Sequence, residues 1–344
     1  MPEVTPTQPV ALSPQAQLIQ MAWAHQISSM IRVAAELKLA DHLADGPKSA
    51  GELAQVTATH APSLYRVMRT LASLGVFTED ERHLFALTSL GEPLRSGTPG
   101  SVRNSVLTMT GDMFCRPLAN LLYSVQTGKT GFGKAFGAEI FDWLPHHPEE
   151  AAMFSDLMIG FHGPETAAVA AAYDFGGFDT LVDVGGATGN MLTTILARHP
   201  GPRGVVFDLP HNRAGATAFI ESRGLADRIG FVDGSFFEAV PSGGDAYLMS
   251  HIIHDWNEDQ CLTILRNCHK AMKPASRLLI IEMVLPSGDI PHPGKMTDVV
   301  MLAVPGGQER TELEYSQLLK KGGFKLERVV PTESAASIVE AFPA

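Results

Sequence analysis

The chain has 344 residues, enough for about two domains, and its 45% apolar and 18% charged content implies a large core and excludes wholesale disorder. Its 26 basic and 37 acidic residues leave a net charge of −11, which argues against a nucleic-acid backbone as partner. No run approaches 18 uninterrupted apolar residues, so no membrane span is expected.

The N-terminal stretch MPEVTPTQPVALSP is polar and Pro-rich, without the basic and apolar regions of a secretory signal. The three cysteines, Cys115, Cys261 and Cys268, form no CxxC pair. They point to a reduced, cytoplasmic setting without structural zinc.

Met1 to about Leu12 reads as a loose tail. Ser13-Pro14 is a helix start, with Ser as N-cap and Pro in the first helical position. Ile27, Met30, Ile31, Ala34 and Leu37 then recur at helical spacing. Ser49 and Glu52 form a capping box ahead of a short helix. A third helix follows Pro62, with Leu64, Val67, Met68, Leu71 and Leu74 on one face and Gly75 to close it. Val76-Phe77, the polar turn Glu79–Arg82 and Leu84–Leu87 predict a hairpin. Three helices and a hairpin make a winged-helix pattern over residues 13–100. Arg66 and Arg69 on the third helix could meet phosphates, but the net negative charge favours a dimerisation module over DNA binding.

Residues 101–175 carry apolar helical stretches from Met109 to Leu122 and from Glu149 to Tyr173. Between them, TGKTGFGKAFG (Thr127–Gly137) lacks phosphate-loop spacing and a preceding strand, and is expected to be a loop. From about Thr180, short apolar runs alternate with helical segments. The runs are Leu181–Val184, Val205–Asp208, Ile229–Val232, Ala246–Met249, Leu278–Leu285 and Phe324–Val330. This alternation predicts a doubly wound, mostly parallel α/β sheet with ligands at the carboxyl ends of its strands.

LVDVGGATGN (Leu181–Asn190) is a strand entering a Gly-rich turn and then a helix. Gly185 and Gly186 allow close approach of backbone to a ligand, and Gly189 permits tight packing. Asp208, at the end of the next strand, stands where an acid accepts hydrogen bonds from ribose hydroxyls. It could instead cap the turn before Pro210. Asn257 and Gln260 begin another helix as a capping pair. His254 and Asp255 therefore lie between a strand end and a helix start, a place that favours function. Glu282 and Glu309 are candidate acids to orient a His254 base.

Five motifs in order, LVDVGGATGN, VVFDLP, DGSFFEAVP, HDWNEDQC and DVVMLAVPGGQER, make the chain resemble the S-adenosylmethionine-dependent small-molecule O-methyltransferases. The likeness is to caffeic-acid-type plant enzymes and their bacterial relatives in secondary metabolism, over nearly the whole length. The resemblance implies a Rossmann-like methyltransferase sheet, with the acceptor-pocket region, over residues 101–344. It also implies a homodimer through residues 13–100. It makes His254 the catalytic base, flanked by Glu282 and Glu309. Asp183, Gly185, Gly186, Asp208, Leu209, Ser235, Phe236, Ser250 and Trp256 then bind S-adenosylmethionine. Phe154, Met158, Phe161, His162, Asp255 and Met301 line the acceptor pocket.

Departures from the pattern are Ser235 for an Asp, Ser250 for a Lys, His251 for a Trp, and Ala187 for the loop's third glycine. The expected reaction is methyl transfer to a hydroxyl of a small aromatic metabolite. No dense cluster of metal ligands is visible in the sequence, so no divalent ion is expected. The alternatives are a relative with the same fold and cofactor but a non-methylating reaction (decarboxylation, hydroxylation or a pericyclic step) and a ligand-sensing winged-helix regulator. Retention of His254, Glu282 and Glu309 favours methylation.

Overall fold

The computed structural model describes residues 12–344, apart from the side chains at positions 161, 163 and 164. The expected tail at Met1 to about Leu12 falls almost wholly outside the described residues. The chain divides into two compact units between Asp112 and Met113.

In the N-terminal unit, Ser13 caps the helix Pro14–Ala22 by accepting from the Ala16 N–H. The expected single helical repeat is broken at Trp23, and a second helix runs Ala24–Glu36. The capping box of Ser49 and Glu52 is complete and starts the helix Ala50–Thr57. The helix Ala61–Ser73 buries Leu64, Met68 and Leu71. Gly75 follows it with a positive φ that disfavours side chains. Strands Phe77–Glu79 and Leu84–Leu87 pair as a hairpin, and Lys48–Ser49 adds a third strand beyond Leu84–Leu87.

The N-terminal unit extends past the expected boundary at residue 100. The helix Arg103–Met109 is tied to Ala24–Glu36 through side chains that reach backbone carbonyls. Arg103 Nε donates to Ala35 O and Arg32 Nη1 to Leu107 O, each at 2.7 Å. The expected helix Met109–Leu122 is in fact separate pieces, Asp112–Ala119 and Leu121–Thr127, after Arg103–Met109 ends. Residues Thr127–Gly137 are not simply a loop. Thr130 caps a short helix, Gly131–Phe136, by accepting from the Gly133 N–H, and Gly137 ends it with φ +82°. The long helix Pro148–Ala172 follows.

A seven-stranded sheet forms the body of the second unit. Its strands are β1 (Thr180–Val184), β2 (Arg203–Asp208), β3 (Ile229–Asp233), β4 (Ala246–Ser250), β5 (Arg277–Glu282), β6 (Phe324–Pro331) and β7 (Ser337–Pro343). The spatial order is β6-β7-β5-β4-β1-β2-β3. Strands β1 to β5 are parallel; β7 is antiparallel to both neighbours. The sequence reading missed β7, and it merged β5 with Val284–Leu285. That pair leaves the main sheet and pairs with Arg310–Thr311.

Consecutive strand residues serve opposite faces. Val182, Tyr247 and Leu278 join one buried cluster with the helices Glu258–Ala271 and Glu312–Lys321. Leu181, Leu248 and Leu279 join the other, with Asn190–Arg198 and Arg213–Ser222. Covered on both faces, the central strands β1, β4 and β5 are almost wholly buried along their length. Among the described residues, no helix is long and apolar enough to cross a membrane.

The fully buried Leu279 lies on a central strand where the surroundings have little room to collapse. Leu279→Ala is expected to cost about 2–5 kcal/mol of stability. Urea unfolding followed by circular dichroism checks this, the midpoint falling while the slope stays fixed.

Candidate active site

The carboxyl ends of β1, β2, β4 and β5 bring the sequence-selected residues to one edge. Past β1, Gly185 has φ +76°, and a Cβ there would lie 2.4 Å from Ile252 Cδ1. A Cβ on Gly186 would lie 2.7 Å from the Asp183 carboxylate. Both glycines are therefore demanded by close packing. Ala187 takes a left-handed conformation, φ +45°, where a glycine would be unstrained. Its N–H donates to Asp208 Oδ2 at 2.7 Å.

The second oxygen of Asp208 accepts from Leu209 N at 2.6 Å and Asn212 Nδ2 at 2.9 Å. Asp208 thus caps its own turn and also ties the glycine loop of β1 to the end of β2. The turn-capping and ligand-facing readings are compatible, because each carboxylate oxygen carries two acceptor positions.

Asp183 is buried beneath the loop, and its Oδ2 has no hydrogen-bond partner among the described residues. Burial, reinforced by the charge of Asp208, raises its pKa to about 7. Two carboxyls beside a glycine loop favour a cationic ligand. S-adenosylmethionine, with its ammonium and sulfonium, matches that field, and Gly185, Gly186, Asp183 and Asp208 are the residues that would hold it.

Phe236 packs edge-on against Phe237 and Trp256, with centroids 4.8 and 6.0 Å apart. Asn267 anchors this pair, its Nδ2 donating to the carbonyls of Phe236 and Phe237 at 3.0 Å each. Asn267 was not singled out from sequence; it lies inside a helix whose capping was the visible signal. Ser235 accepts from Phe237 N at 3.3 Å as a local turn cap. Ser250 ends β4 beside Ile281 of β5. Leu209 is largely exposed next to Asp208.

His254 sits on the short 3-10 turn Ile253–Asp255 after β4 and is 6% exposed. Its main chain is held at both ends. The N–H donates to Glu282 Oε1 at 3.0 Å, and the carbonyl accepts from Gln308 N at 2.7 Å. Gly307 makes the second contact possible, since a Cβ there would overlap the His254 carbonyl. The ring Nδ1–H donates to Glu309 Oε1 at 2.8 Å. Glu309 is itself placed by its own N–H, which donates to Asp298 Oδ1 at 2.9 Å.

The expectation that both acids flank and orient the imidazole needs correction. Only Glu309 grips the ring; Glu282 grips the backbone, because its second oxygen is taken by the Tyr315 hydroxyl. Nδ1 being engaged, Nε2 is the ring nitrogen left to face an acceptor. Asp255 Oδ1 lies 3.6 Å from it.

Burial alone would lower the proton affinity of His254. The charges of Asp255, Glu309 and Glu282 outweigh burial and raise its pKa to about 10. Burial raises Asp255 to about 6. Arg310 lies under the same turn, donating to the carbonyls of Ile253 and Gln308 at 3.3 and 3.0 Å.

Phe154 and Met158 pack against a cluster containing Phe132, Leu157, Ala303 and Val304. Met301 is half-buried on the helix Gly294–Ala303. Phe161 lies on the helix Pro148–Ala172, its side chain outside the described residues. His162, on that helix, stacks on His251 with centroids 3.6 Å apart.

Both rings donate to one oxygen of the buried Glu165, His251 Nε2 at 2.7 Å and His162 Nδ1 at 3.2 Å. Burial alone would raise the pKa of Glu165, but the two imidazoles outweigh it and hold the value at about 2. Burial, then the neighbouring His162, depresses His251 to about 4. The three donor atoms lie within 4.8 Å of one another, close enough to share a metal ion. The fold assembles this group from a helix and a strand end far apart in sequence, which is why no ligand spacing announces it. A metal-bound His normally gives its other nitrogen to a partner, and Nδ1 of His251 has none among the described residues. The arrangement as it stands is a carboxylate holding two imidazoles.

These shifts set a pH dependence. His254 keeps its proton to about pH 10 in the folded chain but loses it above 6.5 when unfolded. Its contribution is complete below pH 6.5 and disappears as pH rises through about 10. Thermal melts of the cofactor-free protein are expected to show Tm falling from about pH 7 to 10, and falling less in His254→Gln.

A family model described as the O-methyltransferase domain matches residues 118–325, and one described as the O-methyltransferase dimerisation domain matches residues 19–96. The chain is 45% identical to a phenazine O-methyltransferase of Lysobacter antibioticus, covering 95% of both chains. Its fold is similar to the crystal structure of LaPhzM, with a TM-score of 0.89 and 43% identity over 97% of this chain and 100% of that one. It is similar also to an O-methyltransferase of neocarzinostatin biosynthesis, NcsB1, solved with S-adenosylmethionine and 2-hydroxy-5-methyl naphthoic acid. There the TM-score is 0.81 and the identity 32%, over 92% of this chain and 96% of the other. The glycine loop, the two carboxyls beside it and the clamped histidine thus belong to a chain of the O-methyltransferase family, an enzyme whose cofactor is S-adenosylmethionine.

Proposed function

We propose that the enzyme methylates a hydroxyl, phenolic in character, of a small aromatic metabolite, with His254 as general base. The observation that carries this reading is the clamped histidine. Its peptide is held on both sides, Nδ1 is committed to Glu309, and Nε2 alone remains to meet an acceptor proton. Bound S-adenosylmethionine supplies an electrophilic methyl group on a sulfonium.

The residues of the chain supply position and proton transfer. A free phenol has a pKa of about 10. The proton affinity of His254, raised by its carboxylates, is close to that value. At neutral pH the ring is mostly protonated, so the base is the fraction that has lost its proton, a fraction that grows with pH and that a bound sulfonium cation would enlarge. Glu309 fixes the tautomer and stabilises the imidazolium that forms. Asp208, Leu209, Ser235, Phe236, Ser250 and Trp256 are assigned to the cofactor with Asp183, Gly185 and Gly186. Phe154, Met158, Phe161, His162, Asp255 and Met301 are assigned to the acceptor. Their apolar and aromatic content suits a flat ring.

We place the enzyme in the cytoplasm, a setting that suits its three free cysteines. A homodimer through the N-terminal unit is supported by the dimerisation model and by exposed apolar side chains at Leu18, Ile19, Met21, Trp23 and Ile27.

Incubation with S-adenosylmethionine and a panel of hydroxylated aromatics should yield a product heavier by one methyl group. Acceptor consumed without that gain would move the enzyme to the non-methylating alternative. His254→Ala should lower turnover by about 10²–10⁴ while leaving cofactor affinity near wild type. Turnover unchanged at neutral pH would remove His254 as the base.

Asp208→Ala should weaken cofactor binding in calorimetric titration by about 1.5–3 kcal/mol for each hydrogen bond lost to the charged acceptor. Equal affinity would remove Asp208 from the site. Light scattering at micromolar concentration should give twice the mass of one chain, and Trp23→Asp should shift the population towards monomer.

A further inference from the structure

Tyr315 lies outside the motifs that mark the site, on the helix that follows the last of them, and its hydroxyl reaches the site's buried carboxylate. The helix Glu312–Lys321 starts at a complete capping box of Thr311 and Glu314. That start fixes the helix's rotation and turns Tyr315, with Leu318 and Leu319, into the core beneath the sheet. Tyr315 is fully buried, and its hydroxyl donates to Glu282 Oε2. The other oxygen of Glu282 accepts the backbone N–H of His254 at 3.0 Å.

A carboxylate with no exposed surface is stabilised by donors on both oxygens. Here they are a phenol from one side and the peptide of the base from the other. With Oε2 tied down, Glu282 cannot swing to the imidazole, where it would compete with Glu309 for Nδ1. Burial, then the adjacent carboxylate charge, holds the phenol protonated, so it remains a donor across the working pH range.

We propose that Tyr315 is a positioning residue for the methyl-transfer reaction: by locking Glu282 onto the main chain of His254, it sets where the imidazole stands. This rests on the reading of His254 as the base. Tyr315 touches neither cofactor nor acceptor in this proposal, and its effect passes entirely through Glu282. The turn Ile253–Asp255 is otherwise held on its far side by Gln308 and from below by Arg310. Loss of the Tyr315 lock therefore leaves the turn in place but lets the ring wander. Small displacements of a base cost rate before they cost binding.

The test is a double-mutant cycle on kcat with S-adenosylmethionine and a methylated aromatic acceptor found in the panel above. Tyr315→Phe should lower kcat roughly tenfold, the scale of one buried hydrogen bond to a charge, with the KM for both substrates unchanged. Glu282→Gln should also lower kcat. In the Glu282→Gln background, Tyr315→Phe should have almost no additional effect, because the residue it acts through is already altered. Leu319→Ala, on the same buried face but outside the lock, should lower Tm and leave kcat alone.

Additive losses would overturn the proposal, as would wild-type kcat in Tyr315→Phe or a rise in the cofactor KM as large as the fall in kcat. Should Tyr315→Phe fail to fold, Glu282→Gln alone still decides, since an unchanged kcat there removes the lock. If His254→Ala is fully active, the base assignment fails first, which separates that failure from this one.

Discussion

A buried histidine held by three separate grips is the constraint around which the second unit is organised. Its ring is held by Glu309, its N–H by Glu282 and its carbonyl by Gln308. Burying Glu282 and Glu309, each at most 1% exposed, carries a desolvation cost that only close donors can offset. Glu282 is fixed by its strand, and Glu309 by its own N–H, which donates to Asp298. Glu282 ends β5, and Glu309 lies in the crossing that leads from Gly306 to the strand Arg310–Thr311. Gly307 is required because His254 and that crossing run in contact. Arg310 supplies a buried positive charge next to the same carboxylates. The proton on His254 is then the natural complement of an acidic cluster, and its affinity rises accordingly.

The residues proposed for proton transfer and for cofactor recognition share one edge of the sheet and one sign of charge. Asp183 and Asp208 flank the glycine loop, while Asp255, Glu282 and Glu309 surround the base. This edge attracts cations, in keeping with a sulfonium cofactor. Ile252, two residues before His254, packs against Gly185, so the glycine loop and the turn of His254 touch directly. Glu165 adds a further buried carboxylate nearby, bonded to two imidazoles, with His251 stacked on His162 and tilted against His254.

What the sequence displays openly is what depends on neighbours along the chain. Capping residues Ser13, Ser49, Asn257 and Thr311 act within three positions, and three of them were legible as helix starts. The glycine loop with Asp208 is a strand-turn-helix motif followed by an acid at the next strand end. Both signals survive without tertiary knowledge. The pairing of Glu282 with a backbone N–H 28 residues away is of another kind, as is its contact with Tyr315. Sequence reasoning found the acid but assigned its grip to the ring, because no pattern along the chain shows which oxygen meets which donor. The group of His162, Glu165 and His251 was invisible for the same reason. Strand β7 was missed because SIVEAFP carries a charge at Glu340 in mid-strand; the fold accommodates it with Tyr173 and Arg328. Helix Gly131–Phe136 was masked by glycines that proved to be its boundaries and interior.

Glu309 acts on His254 from the Nδ1 side and, with Asp255 and Glu282, raises its proton affinity. The most direct measurement is the pH dependence of kcat in the wild type and in Glu309→Gln. Removing a negative charge at 2.8 Å must lower the affinity of the ring for its proton, so the rising limb of the profile moves to lower pH. The same change weakens the hold on the tautomer, so the plateau also falls. That pair of shifts is the result expected here. A limb that stays in place, with the plateau unchanged, would contradict the claim that the buried pair of His254 and Glu309 is the device that takes the acceptor's proton.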